Sequence, residues 1–192
     1  MNNNSSNLQN NSTTVILGLG SNLDDKYLNL VTAIKALAQH HKITLEMVSL
    51  IYESDAIDFK SDCFNNMAIA ITTNLTPFKL LAITQGIESI NGRTINKQGL
   101  RHKKYQARKI DIDILYYGNI KFKNERLIIP HPEINNRLFV IKPLLDIIFL
   151  LPSMGNVVKE TIDDSLLKQR VHELKEASER LKTELKRERL LK

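Results

Sequence analysis

From Thr13 the chain passes from polar residues into VILGLGSN, an apolar, β-branched run closed by Gly and Asn, which predicts a first strand. Asp24 and Asp25 then supply N-cap chemistry for a helix whose Leu30, Ile34, Leu37 and Ala38 recur at helical spacing, ending near His40 and His41. Glu46 to Ser54 (EMVSLIYES) and Asn66 to Thr73 (NMAIAITT) read as two further strands, joined by a polar loop from Asp55 to Asp62 long enough to reach a ligand. Thr76 and Pro77 open a second helix, with Leu80, Ile83, Ile87 and Ile90 as its buried stripe and Asn91-Gly92 as its stop. Gln85 and Glu88, three apart, share a different face. IDIDILYYGN follows as a strand, which Gly118 and Asn119 turn toward a partner ending in RLIIP. A last helix covers Phe139 to Ile148, starting or kinking at Pro143.

This order predicts an α+β fold, a ferredoxin-like sandwich with a mainly antiparallel sheet. After Ser165 the pattern changes: Leu167, Val171, Leu174, Ser178, Leu181 and Leu185 alternate by three and four among charges, as in one long amphipathic helix. The chain therefore divides into a disordered leader (1–12), a globular domain (13–164) and a helical tail (165–192).

Composition narrows the class. At 192 residues with 42% hydrophobic and 25% charged positions, the chain is neither disordered nor fibrous nor a disulfide scaffold. Its single cysteine, Cys63, cannot form an internal disulfide, which fits a reducing compartment and a cytoplasmic location. The leader MNNNSSNLQNNS has neither the charge nor the apolar run of a targeting peptide, and apolar stretches such as Ile147 to Leu151 fall far short of the roughly 20 residues of a membrane helix. The net charge of +6 mostly reports the tail, since residues 168–192 hold nine Lys and Arg against five Glu. More informative is the stretch 93–109, with Arg93, Lys97, Arg101, Lys103, Lys104, Arg108 and Lys109 and no acid.

Directly after these cations stand Asp111 and Asp113. On a strand, positions i and i+2 share a face, so the two carboxylates can hold one or two hard cations while Ile110, Ile112 and Ile114 enter the core. A pair of this kind is also compatible with simple salt bridging to the neighbouring Lys and Arg. Arg126, His131 and Arg137 downstream complete a mixed acidic and basic set suited to a metal-bound polyphosphate. GLGSNL is not a dinucleotide fingerprint, because Leu23 stands at the third glycine position and no βαβ repeat follows; a Gly-rich strand-to-helix turn is the alternative. Nor is there a P-loop. Cys63 reads as an inert thiol.

Together these segments resemble the 6-hydroxymethyl-7,8-dihydropterin pyrophosphokinases of folate biosynthesis. The resemblance runs collinearly over about residues 14–160, on GLGSNL, VSLIYES, NNMAIAITTNLTPFKLLAITQGIE, NGR, ARKIDIDIL and RLIIPHPEINNRLFVIKPL. It implies a ferredoxin-like fold and transfer of pyrophosphate from ATP to the pterin hydroxymethyl group, releasing AMP. It implies Asp111 and Asp113 as ligands of two Mg²⁺ ions and, with them, Arg93 and Arg108 as catalytic residues that bracket a mobile loop. ATP would lie by Gln85, Glu88, Arg93, Arg108, Arg126, His131 and Arg137. The pterin would lie by Ser54, Asp55, Ala56 and Ile57, with Asn66 reading the ring edge between the aromatic rings of Phe64 and Phe139. The chain departs from relatives at Ser54-Asp55-Ala56, where they carry a proline, and at Gln106-Ala107, where they carry Gly-Pro; Tyr105 stands where an aromatic lid residue is sometimes found.

Other classes remain to be weighed. An RNA-binding module would need an aromatic RNP pattern on the sheet, which is absent at 6% aromatic residues, so neither nucleic acid nor membrane is expected as a partner. A non-catalytic scaffold would have no use for the paired carboxylates. A nucleotidyltransferase would share the D-x-D but release pyrophosphate instead of AMP. The tail leaves three options open: packing on the body, a coiled-coil dimer, or a contact to another folate enzyme.

Overall fold

The computed structural model describes residues 12–55, 63–90 and 108–148, and single positions between 151 and 176. The expected leader up to residue 11 and most of the expected tail lie outside the described residues, as do Ala56, Ile57, Arg93, Tyr105 and the cations from Lys97 to Lys104.

Strand β1 (Thr13–Ser21) leads into α1 (Lys26–Ala38), then β2 (Ile43–Val48), β3 (Tyr52–Ser54) and β4 (Phe64–Thr73). Helix α2 (Pro77–Ile90), β5 (Asp111–Tyr117), the short β6 (Phe122–Lys123) and β7 (Ile128–Ile129), a 3₁₀ turn and α3 (Leu138–Ile148) follow. Four strands run in the order β2-β4-β1-β5, β3 adds to β4, and every pairing is antiparallel.

The sheet carries a core on each face. Val15, Leu17 and Leu19 of β1, Ile69 and Ile71 of β4 and Ile112 and Ile114 of β5 meet Leu30, Ala33 and Leu37 of α1 and Leu80 and Ile87 of α2. On the other face Ile16, Ala68, Ala70, Leu115 and Tyr116 meet Ile141, Leu144, Leu145 and Ile147 of α3. Period-two alternation in the strands divides the two sets. A register shift between Ile16 and Leu17 on β1, opposite Leu115, lets both Leu115 and Tyr116 serve the α3 side.

Three local expectations change. The run Glu46 to Ser54 is two strands, because Ser49 interrupts it: its Oγ accepts the Ala68 N–H at 2.9 Å in place of a ladder carbonyl. GLGS ends β1, as the run VILGLGSN implies and not as the alternative turn, with Gly18 and Gly20 paired on both sides. In α2, Ile90 is 88% exposed, while Thr84 and Glu88 are buried with Leu80 and Ile87. After Gly118 the hairpin forms between β6 and β7 as a separate two-stranded sheet, not back onto β5. Helix α3 runs through the buried Pro143, and its apolar packing outweighs the hydrogen bond that proline cannot donate. Among the described residues no helix is long and apolar enough to cross a membrane.

Leu144 is fully buried at the centre of the α3 layer. Leu144→Ala should therefore cost about 2–5 kcal/mol of unfolding free energy in urea titration, and a loss below about 1 kcal/mol would show that α3 is not held as described.

Candidate active site

Two cross-strand rows build the floor of the site on the α3 face. Asn66 of β4 pairs with Gly20 of β1, which pairs with Asp111 of β5; one step along, Ala68, Gly18 and Asp113 form the next row. The absent glycine side chains leave a shelf. A Cβ at Gly20 would come to 3.4 Å from Asn66 Oδ1, and one at Gly18 to 3.3 Å from Leu115 Cδ1. Over this shelf lies a cleft of about 860 Å³, a size that holds small-molecule ligands.

Asp111 and Asp113 are half-buried on its floor, while Ile110, Ile112 and Ile114 point into the opposite core. Because β5 is an edge strand, N–H groups on its outer side have no ladder partner. Glu88 supplies one: its Oε1 accepts the Ile112 N–H at 2.8 Å from the buried side of α2. Arg108 Nη1 lies 2.5 Å from Asp111 Oδ1. Burial, and then the negative charges of Asp111 and Glu88, push Asp113 up to about 7 despite Arg108 and Arg137. Among the described residues negative charge is thus in excess there. Among the described residues no group of three or more His, Cys, Asp or Glu could hold a metal. Two carboxylates are nonetheless a fitting donor set for Mg²⁺, which completes its shell with water and substrate phosphates.

The basic side comes from the β6–β7 turn and from the segment after β7. The His131 N–H bonds to Leu115 O at 3.0 Å, and its Nδ1 accepts the Glu133 N–H at 3.3 Å. An accepting Nδ1 puts the proton of the neutral ring on Nε2, a donor. Burial, then Arg137, keeps the imidazole pKa below its ordinary value. The Arg137 guanidinium lies 5.9 Å from the Phe139 ring centroid and its Nε 3.7 Å from Glu133 Oε2. Arg126 is exposed on the β6–β7 turn, where Asn124 Oδ1 accepts the N–H groups of Arg126 and Leu127.

The third side is aromatic and amide in character. Phe64 and Phe139 both line the cleft. Asn66 is buried, and its Nδ2 donates to Ser54 Oγ at 2.9 Å and to Tyr52 O at 3.3 Å. A carbonyl only accepts, so the amide nitrogen belongs on the β3 side and Oδ1 on the Gly20 side. Asp55 accepts a long 3.5 Å bond from Cys63 Sγ, which raises the thiol pKa and suits an unreactive cysteine.

Thirteen expected residues therefore line one cleft: Ser54, Asp55, Phe64, Asn66, Gln85, Glu88, Arg108, Asp111, Asp113, Arg126, His131, Arg137 and Phe139. Arg93, Ala56 and Ile57 are outside the described residues. Sequence reasoning missed the roles of Gly18 and Gly20, although their i, i+2 spacing carries the same one-face signal as the aspartates.

A carboxylate pair, arginine donors and two aromatic rings lining one cleft are side chains that suit a group-transfer enzyme, a transferase. Residues 16–149 match the family model of 7,8-dihydro-6-hydroxymethylpterin-pyrophosphokinase. A Bacillus subtilis 2-amino-4-hydroxy-6-hydroxymethyldihydropteridine pyrophosphokinase is 41% identical over 132 residues, 68% of this chain and 75% of that one. The Haemophilus influenzae protein of the same name is 36% identical over 161 residues, 81% of this chain and 97% of that one. The bifunctional protein FolKE of Lactococcus lactis is 40% identical, but the chain spans only 37% of its length. A Plasmodium falciparum HPPK-DHPS crystal structure superposes with a TM-score of 0.52 at 15% identity, covering 73% of this chain and 41% of that one, a likeness of fold. The chain belongs to the 7,8-dihydro-6-hydroxymethylpterin-pyrophosphokinase family.

Two outcomes test this geometry. Asp113 holds its proton to about 7 in the fold against an ordinary 3.8, so the metal-free protein should lose stability as pH rises between those values. Asp113→Asn should then be more stable than the parent by on the order of 1–2 kcal/mol at pH 8, and no more stable at pH 3.5, in urea melts with chelator. Gly20→Val should leave the strand intact but fill the shelf beside Asn66, raising the KM for the ring substrate about tenfold or more; an unchanged KM would place that substrate elsewhere.

Proposed function

We infer that the chain transfers the β,γ-pyrophosphoryl group of ATP to the hydroxymethyl oxygen of 6-hydroxymethyl-7,8-dihydropterin in tetrahydrofolate biosynthesis. The hydroxymethyl oxygen forms a bond to the β-phosphorus, the bond from that phosphorus to the α,β-bridging oxygen breaks, and AMP leaves with that oxygen while the hydroxyl proton is released. The observation that carries the reading is the juxtaposition, across the Gly18–Gly20 shelf, of Asp111 and Asp113 with Asn66 and Phe64, in a chain whose family match spans the cleft.

Phe64 and Phe139 stack on the two faces of the pterin, and Asn66, oriented by Ser54 and Tyr52, offers Oδ1 to a ring N–H. The segment from Ser54 to Ile57 borders the same ring. Arg126, His131 and Arg137 take the ATP side, with Gln85 beside the nucleotide, and Arg93 and Arg108 flank the phosphates. Glu88 supports the floor beneath them through Ile112. Asp111 and Asp113 would hold two Mg²⁺ ions, whose chemistry there would be to neutralise charge on the triphosphate and on the attacking oxygen. With both reactants held in line between rigid walls, positioning and electrostatics suffice without a covalent enzyme intermediate.

The sheet order β2-β4-β1-β5, with a helix after β1 and another after β4, supports a ferredoxin-like domain spanning 13–164. The amphipathic pattern of 165–192 supports a helical tail, with packing on the body, a coiled-coil dimer and a contact to another folate enzyme as its three options. A single cysteine and the pathway together favour the cytoplasm.

Incubated with ATP, Mg²⁺ and 6-hydroxymethyl-7,8-dihydropterin, the protein should yield AMP and the pterin diphosphate in equal amounts by chromatography. Asp113→Asn should lower kcat by at least about 100-fold. Release of pyrophosphate in place of AMP would mean attack at the α-phosphorus, and folded protein giving neither product would refute the assignment.

A further inference from the structure

The turn between β1 and α1 makes contacts that the reading above leaves unused. Asn22 is 1% exposed. Its main-chain N–H donates to Arg108 O at 3.2 Å, and its side-chain Oδ1 accepts the Arg108 N–H at 2.8 Å. Both polar main-chain groups of Arg108 thus end on one residue 86 positions earlier in the chain. Beside this clamp, Lys109 Nζ pairs with Asp24 Oδ2 at 2.8 Å.

The turn is itself braced. Asn29 of α1 donates through Nδ2 to Ser21 Oγ at 3.1 Å and to Leu23 O at 2.7 Å. Asp25 caps α1 by accepting the Leu28 N–H at 2.9 Å. Asp24 sits at φ 52, in the left-handed region that residues other than glycine rarely adopt, and the flanking bonds hold it there. Asn22 therefore stands on a rigid post.

An arginine side chain has several rotatable bonds, so where its guanidinium lies depends first on where its Cα is fixed. Two hydrogen bonds at the main chain fix that origin, and the ion pair with Asp111 fixes the far end. An amide suits the position because it accepts without adding a further negative charge to the floor that already holds Asp111 and Asp113.

We propose that Asn22 is a positioning residue for the transfer reaction, clamping the Arg108 main chain so that its guanidinium is held ready for the phosphates of ATP. This rests on the reading of Arg108 as a phosphate-binding residue, and a double-mutant cycle separates the two. The probe is α,β-methylene-ATP with Mg²⁺, which cannot be cleaved at the reacting linkage, and the readouts are its Kd and hydrogen exchange at individual amides.

Asn22→Ala should weaken the analogue about tenfold in the parent but less than twofold in an Arg108→Ala background, because its effect passes through that arginine. Exchange at the Arg108 amide should speed up at least about tenfold, while protection in β1 and β4 is unchanged. An equal penalty in both backgrounds, no penalty in the parent, or loss of protection throughout β1 and β4 would overturn the clamp and leave Arg108 as a phosphate ligand. Unaltered binding by Arg108→Ala would overturn both.

Discussion

Strand β1 pairs with β4 along Thr13 to Ser21 and with β5 along Val15 to Gly20, and these two registers govern all that lies above them. A slip of one residue between β1 and β5 would turn Asp111 and Asp113 into the core and Ile112 into the cleft. Apolar alternation prevents it: Leu17 and Leu19 on β1 and Ile112 and Ile114 on β5 all belong under α1 and α2. The glycines occupy the opposite positions of the same strand. A single pairing thus buries the core, lines up the carboxylates and leaves the shelf open.

Charge is arranged as deliberately as shape. The floor holds more negative charge than Arg108 and Arg137 offset, and Asp113 responds by holding its proton to about 7. A divalent cation held between Asp111 and Asp113 would reverse that preference by favouring both carboxylates ionised. Such a site is a local cost that the two apolar layers must outweigh, and it accounts for carboxylates placed on an otherwise apolar sheet. Glu88 contributes on both counts, since it satisfies the Ile112 N–H on the open edge of β5 and adds to the field that raises Asp113.

Features with a local period were legible before the fold was known. Asp111 and Asp113 on one face, the isoleucines between them on the other, and the Asp25 cap of α1 all follow from spacing alone. Non-local partners produced the misreadings. Ser49 divides one apparent strand in two because its hydroxyl meets the Ala68 N–H. Ile90, expected in the buried stripe, is exposed at the end of α2, while Glu88 is buried and accepts the Ile112 N–H of β5. Gly18 and Gly20 are open to two readings, strand end or turn, and only their flanking strands show them to be floor.

The amino-acid sequence by itself determined the order of the main strands and helices and the face that each carboxylate takes, because these depend on periodicity and on the side chains' own chemistry. Tertiary structure alone decided that Asn66, Gly20 and Asp111 stand in one row, that Asn22 holds Arg108, and that Asp113 is raised. Each of those facts depends on a distance between residues far apart in the chain, set by which strands pair and by how deeply their groups are buried.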